Sequence, residues 1–400
     1  MLKKIIIVLL INLILICNIK ALDLSSTNIV LYNLNDNTVV LDKNSKEITS
    51  IASLTKIMTV YVAILNTNDY NKKVTITYEM IKGLIEEDAL VVGLKVGDIV
   101  TINDLLYATF LESGADAANA LAFSISGSKE KFVELMNEQA KTLDLQLHFK
   151  NVIGLDEKDH YGSADSVAKL LMKALENDKF SEIFKTKEYE STNNMLYKSS
   201  AFKTAEKYDI NIPYIIGAKT GYTDNAGKCL ASIALDEKNN IKYLLVTIGA
   251  DTTIENAYHI LDSKKIYEYY FNNYKYYNVL NKDDLLTNIN IKYSKETIPI
   301  KSDKEITIYH DNTFDTNKIK IDYQGIKEIS PFTNNKELGI VNIYYEDQLL
   351  DKISINSNIL DKNIIKKVEK QLGIQLLIVI IILMLILSII HKIINKKKKS

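Results

Sequence analysis

From Ile374 to Ile390 the chain reads IQLLIVIIILMLILSII, without a single charge. With the flanking Leu372, Gly373, Ile393 and Ile394, this stretch is long enough to cross about 30 Å of hydrocarbon. A helix buried in a protein core needs amphipathic flanks, whereas this run is apolar on every face and leads to Lys392 and the terminal NKKKKS. A transmembrane helix over 372–394 and a basic cytoplasmic tail over 395–400 are therefore expected. Positive charge stays on the inner side of a membrane, so the body of the chain should lie on the extracytoplasmic face. The expected localisation is a single-pass protein of the cell membrane.

The N-terminus agrees with export. MLKK is followed by the apolar IIIVLLINLILIC, the pattern of a signal peptide over 1–21 with Ala21 at a plausible cleavage point. The bulky Ile19 leaves an uncleaved anchor helix as the alternative. Ile16 is too large for the small residue that a lipoprotein signal needs before Cys17. Beyond that segment only Cys229 remains, so no internal disulfide can form and stability has to come from a hydrophobic core. With 47% apolar and 25% charged residues over 400 positions, the chain has enough for two or three domains. A formal net charge of −1 gives no general attraction for nucleic acid, which is excluded as a partner.

Between these ends, residues 24–275 mix strand and helix patterns. NIVLYNLNDNTVVLDKN has two alternating runs around NDN and reads as a hairpin, and Ile51–Leu65 reads as a helix apolar on most faces. INDLLYATFLES, DAANALAFSI and KEKFVELMNEQAKTLD continue as helices. After Pro213 come the strands YIIGAKTGYT and KCLASIALDEKNNIKYLLVTIGA, and then a tyrosine-rich helix. Strands and helices packed in layers imply an α/β or α+β fold. Residues 276–355 alternate in short runs such as EITIYH and KIKIDY and predict a small all-β domain. The charged segment 356–371 is expected to be a linker to the membrane span.

Within the helix at 51–65, Ser53 and Lys56 are three residues apart and share a face, with Cβ atoms about 5–6 Å apart. Burial lowers a lysine pKa by penalising its charged form, so Lys56 could serve as the base for a Ser53 nucleophile. The spacing alone is weak: Ser-x-x-Lys recurs from Ser126, Ser128, Ser166 and Ser200. Only the copy at Ser53 opens a mainly apolar helix. Two further elements follow in order, Ser113 in ESGADAANALA and the single Lys-Thr-Gly at Lys219, Thr220 and Gly221 in a strand.

Around these positions, ASLTKIMT, GLKVGDIVTINDLLYA, FKNVIGLDEKDHYGSAD and GAKTGYTDNAGKCLAS resemble the D-alanyl-D-alanine carboxypeptidases, the low-molecular-weight penicillin-binding proteins of serine peptidase family S11. The resemblance covers about 25–270. It implies a β-lactamase/transpeptidase-like catalytic domain with Ser53 as nucleophile, Lys56 as general base and Ser113 passing a proton to the leaving D-alanine. It also implies that Lys219 and Thr220 hold the substrate carboxylate and that the N–H groups of Ser53 and Tyr222 form the oxyanion hole. Gly217 and Gly221 would let substrate approach the strand closely. The implied partners are peptidoglycan stem peptides and β-lactam antibiotics.

Two alternatives stay open from the residues themselves: Ser113 as a helix cap, and Lys219 as a solvent-facing strand residue. One position departs from the family's Ser-x-Asn, because Ala115 stands where the asparagine would be. Asn119, four residues on, could face the same way. Rival functions are a β-lactamase, for which no Glu-x-x-Leu-Asn segment is found between the second and third motifs, and a cell-wall-binding protein with weakened catalysis. The five histidines, 148, 160, 259, 310 and 391, show no ligand spacing, so neither metal nor cofactor is expected. His160 is expected to be structural, and Asp116 to be a charge at a helix N-terminus.

Overall fold

The computed structural model describes residues 22–253, 255–330, 337–356 and 362–397. The expected signal peptide at 1–21, residues 357–361 of the expected linker and the last residues of the basic tail, 398–400, lie outside the described residues. The chain divides into two compact units, Met1–Asn272 and Asn273–Ser400.

In the first unit, β1 (Asn28–Asn33) and β2 (Thr38–Lys43) form the expected hairpin. β3 (Ile215–Thr223), β4 (Gly227–Asp236) and β5 (Ile241–Ala250) join it in one sheet of order β2-β1-β5-β4-β3. Every neighbouring pair is antiparallel, so the layered fold is of the α+β kind. The strands closest in sequence meet through short turns, while β1 reaches β5 from the far end of the unit. The pairing of β1 with β5 thus encloses the helical segments between them in sequence.

Those helices are α1 (Thr55–Leu65), α2 (Ile102–Leu111), α3 (Ala115–Ser126), α4 (Lys129–Thr142), α5 (Ala164–Ala174), α6 (Asp178–Lys185) and α7 (Ser200–Lys207). α1 is the hub: Thr55 to Ile64 are all buried, as its apolar faces require. Packed round it are Leu105 and Leu106 of α2, Leu121 of α3, Phe132 of α4 and Leu171 of α5. α2 starts at a reciprocal cap in which Asp104 N–H donates to Thr101 Oγ1 at 3.1 Å and Thr101 N–H to Asp104 Oδ2 at 2.8 Å. α8 (Tyr258–Asn273) lies against the sheet, its Tyr267 and Tyr270 hydroxyls donating to the carbonyls of Ser232 at 3.0 Å and Val40 at 2.6 Å.

The second unit is β-rich, with β6 (Tyr274–Leu280), β7 (Leu285–Ile291), β8 (Thr297–Lys301), β9 (Ile306–Asp311), β10 (Ile319–Gly325), β11 (Glu328–Ile329), β12 (Glu337–Tyr345) and β13 (Gln348–Asn356). They form the sheets β6-β9, β8-β7-β11 and β10-β12-β13 around a core that includes Ile289, Ile298, Ile300, Val341, Ile343 and Ile355.

The segment read as a linker has a defined conformation. Its described part, 362–371, forms the first turns of one helix, α9 (Lys362–Lys397), which continues through the apolar run. Ile364, Ile365, Val368 and Leu372 fall at helical spacing and pack onto the β core, with Val368 buried, so tertiary burial makes these turns a structural part of the unit. Asn363–Asn395 is long and apolar enough to cross a membrane, and its side chains from Ile374 to Ile394 are exposed.

Candidate active site

The chain approaches α1 through a strained turn. Ala52 has φ +45°, a left-handed conformation that costs a non-glycine residue about 1–3 kcal/mol. Ala52–Leu54 then form a 3₁₀ turn and the α-helix proper begins at Thr55, later than the periodicity predicts. Ser53 in this turn and Lys56 in the first turn of α1 are i and i+3 neighbours on one face. Lys56 Nζ comes to 3.0 Å from Ser53 Oγ, and it donates to the Ile153 carbonyl at 2.6 Å. Lys56 is 2% exposed, and burial lowers its pKa from 10.5 to about 7, partly offset by the Asp116 charge.

Two glycines make room behind this turn. A Cβ on Gly221 would lie 3.1 Å from Ser53 N, and one on Gly154, at φ +85°, would lie 2.1 Å from the Ala52 carbonyl oxygen. Gly217 has a different reason: its Cβ would strike Phe184 at 2.4 Å. It admits α6 to the back of the sheet rather than substrate to the front, which corrects the expectation for that residue.

Ser113 (φ +62°) precedes α3, whose N-cap is Gly114 without a side-chain cap bond. Ser113 is not a cap. Its Oγ is buried without a partner, in position for a group that enters the cleft. Asp116 takes four backbone N–H groups, from Val92, Gly93, Leu94 and Ala117, at 2.9–3.0 Å. It fixes the wall segment 92–94 to the start of α3. Asn119 is buried with Nδ2 unpaired and lines a groove beside the cleft, bordered by Ile153 and Leu155, whereas Ala115 lines the cleft itself.

The cleft has a volume of about 490 Å³ and brings together Ser53, Lys56, Ser113, Thr220, Gly221 and Tyr222. Lys219 is fully buried behind this wall and is not a solvent-facing strand residue; its Nζ donates to the Thr220 carbonyl at 2.9 Å. Burial holds its pKa well below 10.5, and the charge of Lys56 lowers it further. The wall carries residues that sequence reasoning passed over. Ser200, at the start of α7, lies 2.6 Å from Thr220 Oγ1 by its hydroxyl. Its Ser-x-x-Lys spacing is incidental, because Lys203 pairs with Glu112 at 2.5 Å. Lys207 and Lys228 border the outer part.

Asp156, which lines the adjoining groove, was also passed over. It accepts from Ser50 Oγ at 2.5 Å, Thr223 Oγ1 at 2.9 Å and Asn225 N–H at 3.2 Å, tying together the approach to Ser53, the end of β3 and its own loop. The only signal for it was its place in NVIGLDEKD. His160 is buried with its Nε2 2.8 Å from Thr55 Oγ1, and burial lowers its pKa to about 4, so it stays neutral as a packing residue.

Residues 17–252 match the Peptidase_S11 family, D-alanyl-D-alanine carboxypeptidase. The D-alanyl-D-alanine carboxypeptidase DacF of Bacillus subtilis (strain 168) is 30% identical over 319 residues, which cover 78% of this chain and 79% of that protein. DacC of Escherichia coli (strain K12) is 34% identical over 226 residues, about half of each chain at 54%. Penicillin binding protein 5 from Haemophilus influenzae has the same fold, with a TM-score of 0.60 at 23% identity over 84% of this chain and 97% of that one. The Streptomyces K15 DD-transpeptidase aligns at a TM-score of 0.55 and 26% identity over 62% of this chain and 98% of that one. The sequence match and the antiparallel sheet with its buried Ser53–Lys56 turn lead to one conclusion: the chain belongs to the D-alanyl-D-alanine carboxypeptidase family, serine peptidase family S11.

Proposed function

We propose that this D-alanyl-D-alanine carboxypeptidase removes the terminal D-alanine from peptidoglycan pentapeptide stems through an acyl-enzyme at Ser53, and that penicillins acylate the same oxygen. The observation that carries this is the 3.0 Å contact between Ser53 Oγ and a buried Lys56 whose pKa is about 7. A neutral amine at that distance takes the Ser53 proton as Oγ attacks the carbonyl carbon of the penultimate D-alanine. Negative charge then collects on the carbonyl oxygen, where the N–H groups of Ser53 and Tyr222 stabilise it. Collapse breaks the C–N bond. The proton held on Lys56 passes by way of Ser113 Oγ to the departing amine. Water then repeats the sequence on the ester, restoring Ser53 and releasing the shortened peptide.

The substrate carboxylate sits against the Thr220 hydroxyl, with Ser200 beside it and the buried Lys219 behind. An anion arriving there supplies the counter-charge that Lys219 lacks and favours its protonated form. α9 anchors the protein in the membrane, with the residues before it, including the catalytic domain of 24–275 and the β domain of 276–355, on the extracytoplasmic face and the lysine-rich end inside.

The test is D-alanine release from diacetyl-Lys-D-Ala-D-Ala, together with peptide mapping of penicillin-treated protein by mass spectrometry. A penicilloyl mass on the peptide carrying Ser53, lost in Ser53→Ala, is expected. Acylation elsewhere, or release of D-alanine by Ser53→Ala at the native rate, would overturn the assignment.

A further inference from the structure

The β7–β8 turn projects beside α9 at a telling height. Ile291 is buried, but Tyr293, two residues on, is 78% exposed at φ +63°. The turn is well fixed: Lys292 N–H donates to Ile329 O at 2.8 Å, and Glu296 N–H to Ser294 Oγ at 3.0 Å. Lys367 of α9 donates to Glu296 Oε1 at 2.9 Å. A groove of about 600 Å³ separates residues 293–296 from the α9 face made by Val368, Leu372 and Gln375.

Those positions set the depth. Val368 belongs to the β core and Leu372 packs against it, and the continuous apolar face exposed from Ile374 onward starts only a few ångströms further along the axis at about 1.5 Å per residue. No flexible joint intervenes, because Lys362–Lys397 is one helix. If α9 spans the bilayer, the level of Gln371–Gln375 is the boundary between hydrocarbon and headgroups. The turn is held at that same level. An exposed tyrosine there has a ring for the acyl boundary and a hydroxyl for water, the composition of an interfacial anchor. Lys292 and Lys295 on the turn, with Lys366 and Lys370 on the helix, are placed for lipid phosphates.

We propose that the Tyr293–Glu296 turn is a second membrane contact, resting in the outer headgroup layer of the bilayer that α9 crosses. The β unit is then seated on the lipid surface. This rests on the reading of α9 as a membrane span, and the test separates the two.

The chain contains no tryptophan, so one introduced residue is the sole tryptophan and is excited selectively at the red edge, beyond the absorption of the tyrosines. Tyr293→Trp and, as the reference for the span, Leu383→Trp are placed in the full chain and reconstituted into phosphatidylethanolamine/phosphatidylglycerol vesicles. A far-UV circular dichroism spectrum and a protease-resistance pattern matching those of the native chain show that each variant is folded. Headgroup-linked nitroxide is expected to quench Trp at 293 severalfold more than a mid-chain nitroxide does, with the order reversed for Trp at 383. If Trp at 293 answers only to aqueous iodide while Trp at 383 answers to the mid-chain label, the turn stands in water, so the proposal fails and the span survives. If neither answers to lipid labels, the span reading fails and takes the proposal with it.

Discussion

A Cβ on Gly154 would stand 2.1 Å from the carbonyl oxygen of Ala52, the residue before the candidate nucleophile. The loop at 151–156 is thereby pressed against the strained turn that aims Ser53, and Asn151 Oδ1 holds Gly154 N–H there at 2.7 Å. Gly154→Ala must move one backbone or the other and also adopt φ +85°. A loss of roughly 2–4 kcal/mol in thermal or denaturant unfolding is expected. Penicillin acylation should fall further than the stability loss explains, because the Ser53–Lys56 contact is built on that turn. Native acylation kinetics in a destabilised variant would separate the loop from the site.

The pKa of Lys56, about 7, has two consequences of opposite kind. Its base form grows as pH rises, so the second-order rate of penicillin acylation should climb through about pH 7 and level off above it. For stability, the unfolded chain holds this proton up to about pH 10.5, whereas the folded one loses it near 7. Folding therefore carries a full cost below pH 7 that diminishes as pH rises toward 10.5. Lys56→Met should raise the melting temperature at neutral pH and abolish acylation; a lower melting temperature would argue against a burial penalty at this site.

Ser113 Oγ is buried and unpartnered, and it is assigned the proton transfer to the leaving amine. Ser113→Ala removes no hydrogen bond from the folded protein, so its unfolding free energy should stay within about 1 kcal/mol of the native value. D-alanine release should drop about 10²–10³-fold, mostly in kcat. A change confined to KM would make Ser113 a binding residue.

Ala115 borders the cleft at the position where the Ser-x-Asn pattern would place an amide, and Asn119 sits one helical turn along, in the adjoining groove. Ala115→Asn should restore one hydrogen bond to the peptide carbonyl and raise kcat/KM for D-alanine release about three- to tenfold. Unchanged kinetics would mean that the existing wall already supplies that contact.

Asp156 joins three segments through three hydrogen bonds, two of them from hydroxyls. Asp156→Asn keeps the shape but weakens charge-assisted bonds, with an expected loss of about 1–3 kcal/mol in stability and a raised KM for the peptide. Rigid kinetics with intact stability would show the cluster to be ornamental solvent structure.

Much of the architecture was legible because it rests on local patterns. The β1–β2 hairpin follows from two alternating runs, and α1 from an apolar stretch that only a domain centre could bury. The long apolar helix within α9, of a length that could cross a bilayer, follows from the absence of charge over that run. Ser53 and Lys56 were legible for the same reason, since their contact lies within one turn. The helical form of 362–371 was not legible, because its burial against the β core depends on Ile364, Ile365 and Val368 meeting strands far away in sequence.

The sequence alone determined which groups sit within a turn of one another and how long each apolar run is, because both depend only on spacing along the chain. Tertiary packing alone decided that Lys56 is dry enough to act as a base, that Lys219 lies behind the cleft wall, and that Gly217 faces Phe184. Desolvation and steric contact are set by neighbours from other elements, and a one-dimensional pattern does not say which neighbours arrive.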